Sequence, residues 1–232
     1  MKELFFETID STNAYLKRNY EDLDDLTFVR TDFQSKGKGR SDRRWTADKG
    51  KNLLFSILIK NKELIRKFES LSINSAYLVL KVLEGYSLHD LAIKWPNDVY
   101  VKDRKICGIL LEAVSREEME CLIIGIGINV NEDCFDGEYL TEPTSMKIEL
   151  KKDIDLEEFK DKIYESLLNG LDQDHLEEIR KYDYLKGKKV LTMINSEKKE
   201  ATVLGINDDS SLKIVTDDKE MDLHSGEISF HV

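Results

Sequence analysis

The sequence predicts an α+β fold, with a larger unit over residues 1–185 and a small β-barrel over residues 186–232. Three observations carry this. Apolar, strand-like runs at 26–31 and 52–60 precede one long amphipathic stretch at 66–86. A run of strands with polar turns then fills 91–131. After residue 186, five short apolar runs alternate with Asn, Asp and Ser turns, and a unit of that size is marginal unless docked on a larger one.

Taken in order, Asp10 or Ser11 is positioned to N-cap a short helix over Ala14-Tyr15-Leu16-Lys17-Arg18. Capping alone accounts for Ser11. With Thr12 and Asn13 it also makes a polar pocket wall, where free N–H groups favour acceptors. The strand at 26–31 leads into the stretch 34–45, Gln-Ser-Lys-Gly-Lys-Gly-Arg-Ser-Asp-Arg-Arg-Trp, with five cations and one anion in twelve residues. Glycines there bring backbone N–H groups near a ligand, and arginine forks suit carboxylate and phosphate. The whole chain carries a net charge of -11. A positive loop in an acidic chain points to an anionic small ligand rather than to nucleic acid. A solvated basic loop is the alternative.

The run 52–60 is apolar on nearly both faces, as in a central strand. Phe68, Leu71, Ser75, Leu78 and Val82 set the helical spacing of 66–86. Three strands of a meander follow at 91–101, 106–114 and 120–131, the first broken by Pro96. In the third, Ile124, Ile126, Ile128 and Val130 share a core face, and Gly125, Gly127, Asn129 and Asn131 share the other. Two glycines in mid-strand weaken a sheet unless something uses the bare backbone. A flat ligand, a bulge or a close helix crossing would each do so. Lys94, opposite Ile93 and Trp95, is either an exposed strand-end lysine or a cation entering a partly dry pocket with an anionic partner. Residues 132–153 read as loop plus a short strand. Asp155-Leu156-Glu157-Glu158 opens a helix to about residue 171, and a second short helix covers 175–182. The final strands are expected at 188–194, 201–206, 212–216, 220–224 and 227–231.

Composition narrows the class. Hydrophobic content of 41% supports a packed core, and no apolar run is long enough for a membrane span. Cys107, Cys121 and Cys134 lack zinc-ligand spacing and give no disulfide framework; Cys107 and Cys121 read as buried. The N-terminus is too short and acidic for a signal peptide, so a cytoplasmic protein is expected.

Ser11-Thr12-Asn13, the Gly-Lys-Gly-Arg loop ending at Trp45, Lys94-Trp95-Pro96-Asn97-Asp98, Cys107-Gly108-Ile109-Leu110-Leu111-Glu112, Gly125-Ile126-Gly127-Ile128-Asn129 and the closing Ser225-Gly226-Glu227-Ile228-Ser229 together resemble the biotin protein ligase family in order and spacing. The resemblance covers nearly the whole chain. It implies a mixed β-sheet flanked by helices, related to class II aminoacyl-tRNA synthetases, with a small C-terminal Src-homology-3-like β-barrel. It implies that biotin and ATP, with magnesium, give biotinyl-5′-adenylate and pyrophosphate, and that biotin passes to one lysine of a biotin carboxyl carrier domain, such as that of acetyl-CoA carboxylase. By motif position, Ser11, Thr12, Asn13 and Gln34 would hold the biotin head group. Lys38, Gly39 and Arg40 would form the closing loop, with Arg40 also catalytic. Lys94 would bridge the biotin carboxylate and the α-phosphate. Trp45, Asn97, Gly125, Gly127 and Asn129 would hold the nucleotide.

Three departures from the family stand out. Lys38 replaces the usual arginine between the loop glycines. Asp42 replaces a usual glycine, although aspartate tolerates the left-handed region. Ten residues precede Ser11, so the expectation is a short form without the N-terminal helix-turn-helix domain of some members, acting on no nucleic acid and no membrane, as monomer or homodimer. A lipoate or octanoate ligase of the same superfamily, and a non-catalytic biotin-binding module, are the rival readings.

Overall fold

The computed structural model describes residues 2–40, 43–137, 139–194, 197–217, 219–224 and 228–229. The expected turn at Asn195-Ser196, Asp42, and Ser225, Gly226 and Glu227 of the closing motif lie outside them.

The first strand, β1 (Lys2–Phe6), was not expected. Its Leu4-Phe5-Phe6 run breaks alternation, and only one side of it pairs. Helix α1 (Thr12–Asn19) follows, capped by Ser11, whose Oγ accepts from the Ala14 N–H at 3.4 Å. Strands β2 (Thr27–Thr31) and β3 (Leu53–Ile59) match the apolar runs, and every residue of β3 is buried. The long helix expected at 66–86 is present, and a short helix that was not expected precedes it. A turn of helix, α2 (Lys62–Arg66), is capped by the Asn61 carboxamide oxygen, and α3 (Phe68–Gly85) starts after a break at Lys67. The buried stripe of α3 runs through Leu71, Ile73, Ala76, Leu80 and Leu83, while Phe68 is exposed.

The stretch 91–101 is a hairpin of two strands rather than one interrupted strand. Strands β4 (Leu91–Lys94) and β5 (Asp98–Val101) pair antiparallel around Trp95-Pro96-Asn97, with a cis Trp95–Pro96 peptide. Proline cannot donate to a ladder and here serves the turn. Strands β6 (Arg104–Ser115) and β7 (Met119–Ile128) complete the meander. Strand β7 ends at Ile128, and the Asn129 N–H extends the pairing with β6 by one bond, to the Ile106 carbonyl at 2.9 Å. Asn129 is buried and donates from Nδ2 to the Thr144 carbonyl at 3.0 Å, and Asn131 pairs through its side chain with Ile154. In 132–153 the regular element is a short helix, α4 (Met146–Leu150), capped by Ser145; the expected short strand amounts to one bridge, Lys105 to Pro143. Helix α5 (Leu156–Gly170) is capped by Asp155, and α6 (Leu176–Ile179) runs into a single 3-10 turn at Arg180–Tyr182.

Seven strands form a mixed sheet in the order β1-β2-β3-β7-β6-β5-β4, in which β1 and β2 are parallel and the other neighbours antiparallel. Helices α3 and α5 cover one face, over Phe55, Ile57, Ile109, Ile124 and Ile126. Helix α1 covers part of the other through Leu16, which packs with Val29, Leu58 and Ile123. Strands β8 (Lys189–Ile194), β9 (Glu197–Ile206), β10 (Leu212–Thr216), β11 (Lys219–Leu223) and β12 (Ile228–Ser229) make a separate antiparallel sheet. Its Val190, Val203, Leu212 and Ile214 belong to the same hydrophobic core as the main sheet. The Trp95 indole N–H donates to the Ser210 carbonyl at 2.9 Å across the junction. No helix among the described residues is long and apolar enough to cross a membrane.

Candidate active site

The face of the main sheet left uncovered by α3 and α5 carries the polar and glycine positions. Pairing aligns Leu54, Gly127, Gly108, Asp98 and Lys94 across five strands, and Val29, Ser56, Gly125 and Leu110 across four. Directly opposed residues share a face, so these two rows form one floor. The register of β7 is unbroken at both of its glycines, which rules out a bulge there. A Cβ on Gly127 would sit 2.6 Å from Trp45 Cε2; one on Gly108 would sit 2.8 Å from Trp45 Cζ3 and 2.9 Å from Lys105 Nζ. At Gly125 the close neighbour is Asn13 of α1, whose Cγ would be 2.9 Å away, so a helix side chain explains that glycine. The bare backbone thus admits an indole, an ammonium and a carboxamide at near-contact distance.

One corner is a polar cluster with little exposure. The Thr12 N–H donates to Gln34 Oε1 at 2.9 Å, and the Thr12 hydroxyl lies 3.2 Å from the same oxygen. Ser56 Oγ stands 2.6 Å from Thr12 Oγ1 and 2.5 Å from Asn13 Oδ1. A hydroxyl has one proton and an amide oxygen only accepts, so Ser56 donates to Asn13 Oδ1 and accepts from the Thr12 hydroxyl. Asn13 Nδ2 donates to Glu112 Oε2 at 2.8 Å. Ser11, Thr12, Asn13 and Gln34 are therefore brought together, with Ser11 acting as the helix cap beside them.

The two flanks of the basic loop pair as the arms of a hairpin. The Trp45 N–H donates to the Gly37 carbonyl at 3.1 Å, the Gly39 N–H to the Arg43 carbonyl at 2.7 Å, and Lys38 bridges Arg44. This geometry lays the Trp45 ring on the floor. Its indole N–H is buried without a hydrogen-bond partner among the described residues. Arg40 Nη1 donates to Asn97 Oδ1 at 3.2 Å, and Asn97 Nδ2 is anchored on the Ile109 carbonyl at 2.6 Å. Arg40, Asn97, Trp45 and Gly127 thus meet around the floor, whereas the Lys38 side chain is exposed and Asn129 points into its own loop contacts.

Cations line the far end. Lys105 Nζ pairs with Asp98 at 2.7 Å and lies 5.6 Å from the centre of the Trp45 ring. Lys94 Nζ lies 5.5 Å from the centre of the Tyr100 ring. Burial pushes the Lys94 ammonium below its ordinary pKa; Asp98 opposes this, and Lys105, Arg43 and Lys188 add to it. Burial also pushes the Tyr100 phenol and the Cys107 thiol up, so both stay protonated. Among the described residues, no group of three His, Cys, Asp or Glu side chains converges to hold a metal ion.

Sequence reasoning did not name Lys105, Ser56 or Glu112 as site candidates. Lys105 falls between the strands expected at 91–101 and 106–114, three residues before Gly108. Ser56 is the single polar residue of β3, and that interruption of an apolar strand was the available signal.

A family model described as biotin/lipoate A/B protein ligase matches residues 5–129. The bifunctional ligase/repressor BirA of Escherichia coli is 32% identical over 123 residues, which cover 53% of this chain and 38% of that protein. The biotin–[acetyl-CoA-carboxylase] ligase of Paracoccus denitrificans is 32% identical over 159 residues, covering 66% of this chain and 65% of that one. A biotin protein ligase from Aquifex aeolicus, solved with biotin and ATP, superposes with a TM-score of 0.86 at 27% identity, covering 98% of this chain and 97% of that one. The chain spans under half the length of the BirA relatives it matches.

Proposed function

Because the chain belongs to the biotin/lipoate A/B protein ligase family, we propose that it activates biotin with ATP and transfers it to a lysine of a biotin carboxyl carrier domain. The observation that carries this reading is the juxtaposition on one sheet face of a polar corner, a glycine floor and fixed cations. The corner of Thr12, Gln34, Ser56 and Asn13 offers donors and acceptors suited to a neutral ureido ring. A lipoyl or octanoyl chain has no polar group to exchange hydrogen bonds with this corner.

Activation brings a carboxylate against a phosphate, two anions that repel. A carboxylate oxygen attacks the α-phosphorus, and the bond to pyrophosphate breaks. Fixed positive charge offsets both the repulsion and the charge that develops in the transition state. Lys105, between Asp98 and the Trp45 indole and over the Gly108 backbone, and Lys94, opposite Asp98 in the floor row, are the fixed cations placed to meet the carboxylate and α-phosphate. Lys94 stands on the other side of Asp98, toward Tyr100. Arg40 borders the same space from the hairpin. The Trp45 ring offers a stacking surface for a flat ligand, and its unpartnered N–H is a donor in reserve. Closure of the hairpin would keep water from the mixed anhydride. In the second step the carrier lysine amine attacks the acyl carbon, the amide forms, AMP leaves and one proton is released. Magnesium enters as part of the nucleotide substrate, and no step is assigned to it. With a net charge of -11, no sequence-specific duplex binding is expected of this chain.

The test is pyrophosphate release from Mg-ATP with biotin, lipoate or octanoate as the sole acid. Release with biotin alone supports the reading. Release with lipoate or octanoate but not biotin replaces it with the sister chemistry, and no release with any acid removes the enzyme assignment.

A further inference from the structure

The motif at 107–112 enters the proposed mechanism through Gly108, but its last residue also reaches the polar corner. Gly108, Leu110 and Glu112 alternate along β6 and face the floor. The Glu112 carboxylate accepts from Asn13 Nδ2 at 2.8 Å, and the Leu110 carbonyl lies 3.4 Å from the same nitrogen. Lys17 Nζ stands 3.8 Å from the other carboxylate oxygen. A carboxylate and a carbonyl only accept, so the Asn13 carboxamide has one orientation, with its NH2 toward β6 and Oδ1 toward Ser56. Ser56 then gives its proton to Asn13 Oδ1 at 2.5 Å and accepts the Thr12 proton at 2.6 Å. Donation runs one way along the chain: Thr12 to Ser56 to Asn13 to Glu112. From the other side, Gln34 Oε1 accepts from the Thr12 backbone N–H at 2.9 Å. Thr12 Oγ1 and Gln34 Oε1 therefore stand 3.2 Å apart with no proton between them. Two lone pairs at that distance repel, and a donor placed between them relieves the repulsion.

We propose that Glu112 is a positioning residue that sets the direction of this chain, and so makes the Thr12 and Gln34 oxygens a paired receptor for one ligand N–H. This rests on the ligase reading above, in which that N–H belongs to the ureido ring of biotin. Glu112 itself touches no ligand. Its part is to accept without being able to donate, at the end of a relay whose other members do both. Thr12 and Ser56 are hydroxyls, and Asn13 carries a donor and an acceptor on one carboxamide, so a relay without a fixed end is free to reverse. The Leu110 carbonyl, at 3.4 Å, is the weaker of the two acceptors that prevent this. On reversal Asn13 would donate to Ser56, Ser56 to Thr12, and the Thr12 hydroxyl to Gln34 Oε1, which closes the receptor. Thr12, Asn13 and Ser56 are buried, so a wrong match there is not relieved by water. The direction of the relay is thus a specificity device. A ligand with a ring oxygen where biotin has N–H brings a third lone pair to the two already there.

The experiment compares the wild type with Glu112→Gln and Glu112→Asp in the full chain. The probes are biotin and its two cyclic carbamate analogues, each with one ureido N–H replaced by a ring oxygen, and binding is read by calorimetry. The wild type should bind one of the carbamates about 100-fold or more weakly than biotin, because the receptor then faces a lone pair. Glutamine has the size of glutamate but also donates, so it releases the direction of the relay. In Glu112→Gln, biotin affinity should fall about two- to fivefold, since molecules with the relay reversed are lost to binding. Discrimination against that carbamate should fall about tenfold, because a reversed Thr12 hydroxyl donates to the ring oxygen. Glu112→Asp, which again only accepts, should keep most of the discrimination. Melting temperature and the KM for ATP in biotin-dependent pyrophosphate release should stay near wild type in both variants. Unchanged discrimination in Glu112→Gln overturns the proposal. An equal loss of biotin and carbamate binding in both variants overturns it too, and makes Glu112 a packing residue. A wild type that binds no biotin refutes the underlying reading instead, and that result is seen before any variant is made.

Discussion

Substitution of Gly127 by alanine isolates what the bare strand is for. An alanine Cβ would lie 2.6 Å from Trp45 Cε2, 2.8 Å from Cζ2 and 3.0 Å from Nε1. Ordinary carbon contacts begin near ~3.5 Å, so the ring must lift by about 1 Å. The two sides of this contact differ in stiffness. Gly127 is held between β3 and β6 by ladders on both edges, whereas Trp45 ends a surface hairpin. The ring therefore moves and the sheet does not. Overpacking in a rigid core costs about 1–3 kcal/mol. Here the hairpin absorbs the displacement, and removing a strand glycine returns about 0.5–1 kcal/mol. The net loss of stability should be about 1 kcal/mol or less, or roughly 2–4 °C in melting temperature for a chain of this size. Adenylate formation should fall far more, by about 10- to 100-fold, because the ring and the hairpin leave their working positions together. Single-turnover formation of biotinyl-adenylate, alongside a thermal melt, measures both. A large drop in melting temperature with normal activity per folded molecule would show that Gly127 is a packing glycine and refute the reasoning.

Three further outcomes are expected. Lys105→Gln should slow adenylate formation about 100- to 1,000-fold, the usual worth of one preorganised donor, with a smaller loss in biotin binding; single-turnover kinetics near wild type would move the role to Lys94 or Arg40. Ser56→Ala should weaken biotin binding about tenfold and cost about 1–3 kcal/mol in urea unfolding, because Asn13 and Thr12 lose a buried partner; unchanged affinity by calorimetry would show that this corner is structural. Lys94 has a depressed native pKa, so the unfolded chain binds its proton more tightly and stability rises with pH between that depressed value and the ordinary ~10.4. Urea unfolding of wild type minus Lys94→Met should therefore show a difference that grows in favour of wild type as pH rises through that window, and a flat or falling difference would contradict the burial of Lys94.

Local signals and long-range ones were legible to different degrees. The strands at 27–31 and 53–59 and the helix capped by Asp155 were readable because pattern and cap lie within a few residues of each other. The edge strand Lys2–Phe6 was not, since its pairing with β2 gives no local alternation. Pro96 was read as an interruption within a strand, although the same residue equally forms a turn between two. The period of two that placed Asn129 beside Gly127 could not show that its side chain donates to the Thr144 carbonyl, fifteen residues on. Lys105 illustrates the site. Its position in a polar run suggests solvent, but its side chain lies over Gly108 because that residue has no Cβ to exclude it. The polar corner depends on contacts between residues 22 to 99 apart in sequence, which no window can reveal.

The most direct test is to identify what the protein makes and retains. The full chain is incubated with biotin and Mg-ATP, freed of small molecules by rapid desalting and denatured, and the released ligand is weighed by mass spectrometry. The account predicts biotinyl-5′-adenylate in near-equal amount to protein, and its loss in Lys105→Gln. Recovery of unreacted biotin and ATP, with no adenylate in the retained or the free fraction, would contradict it.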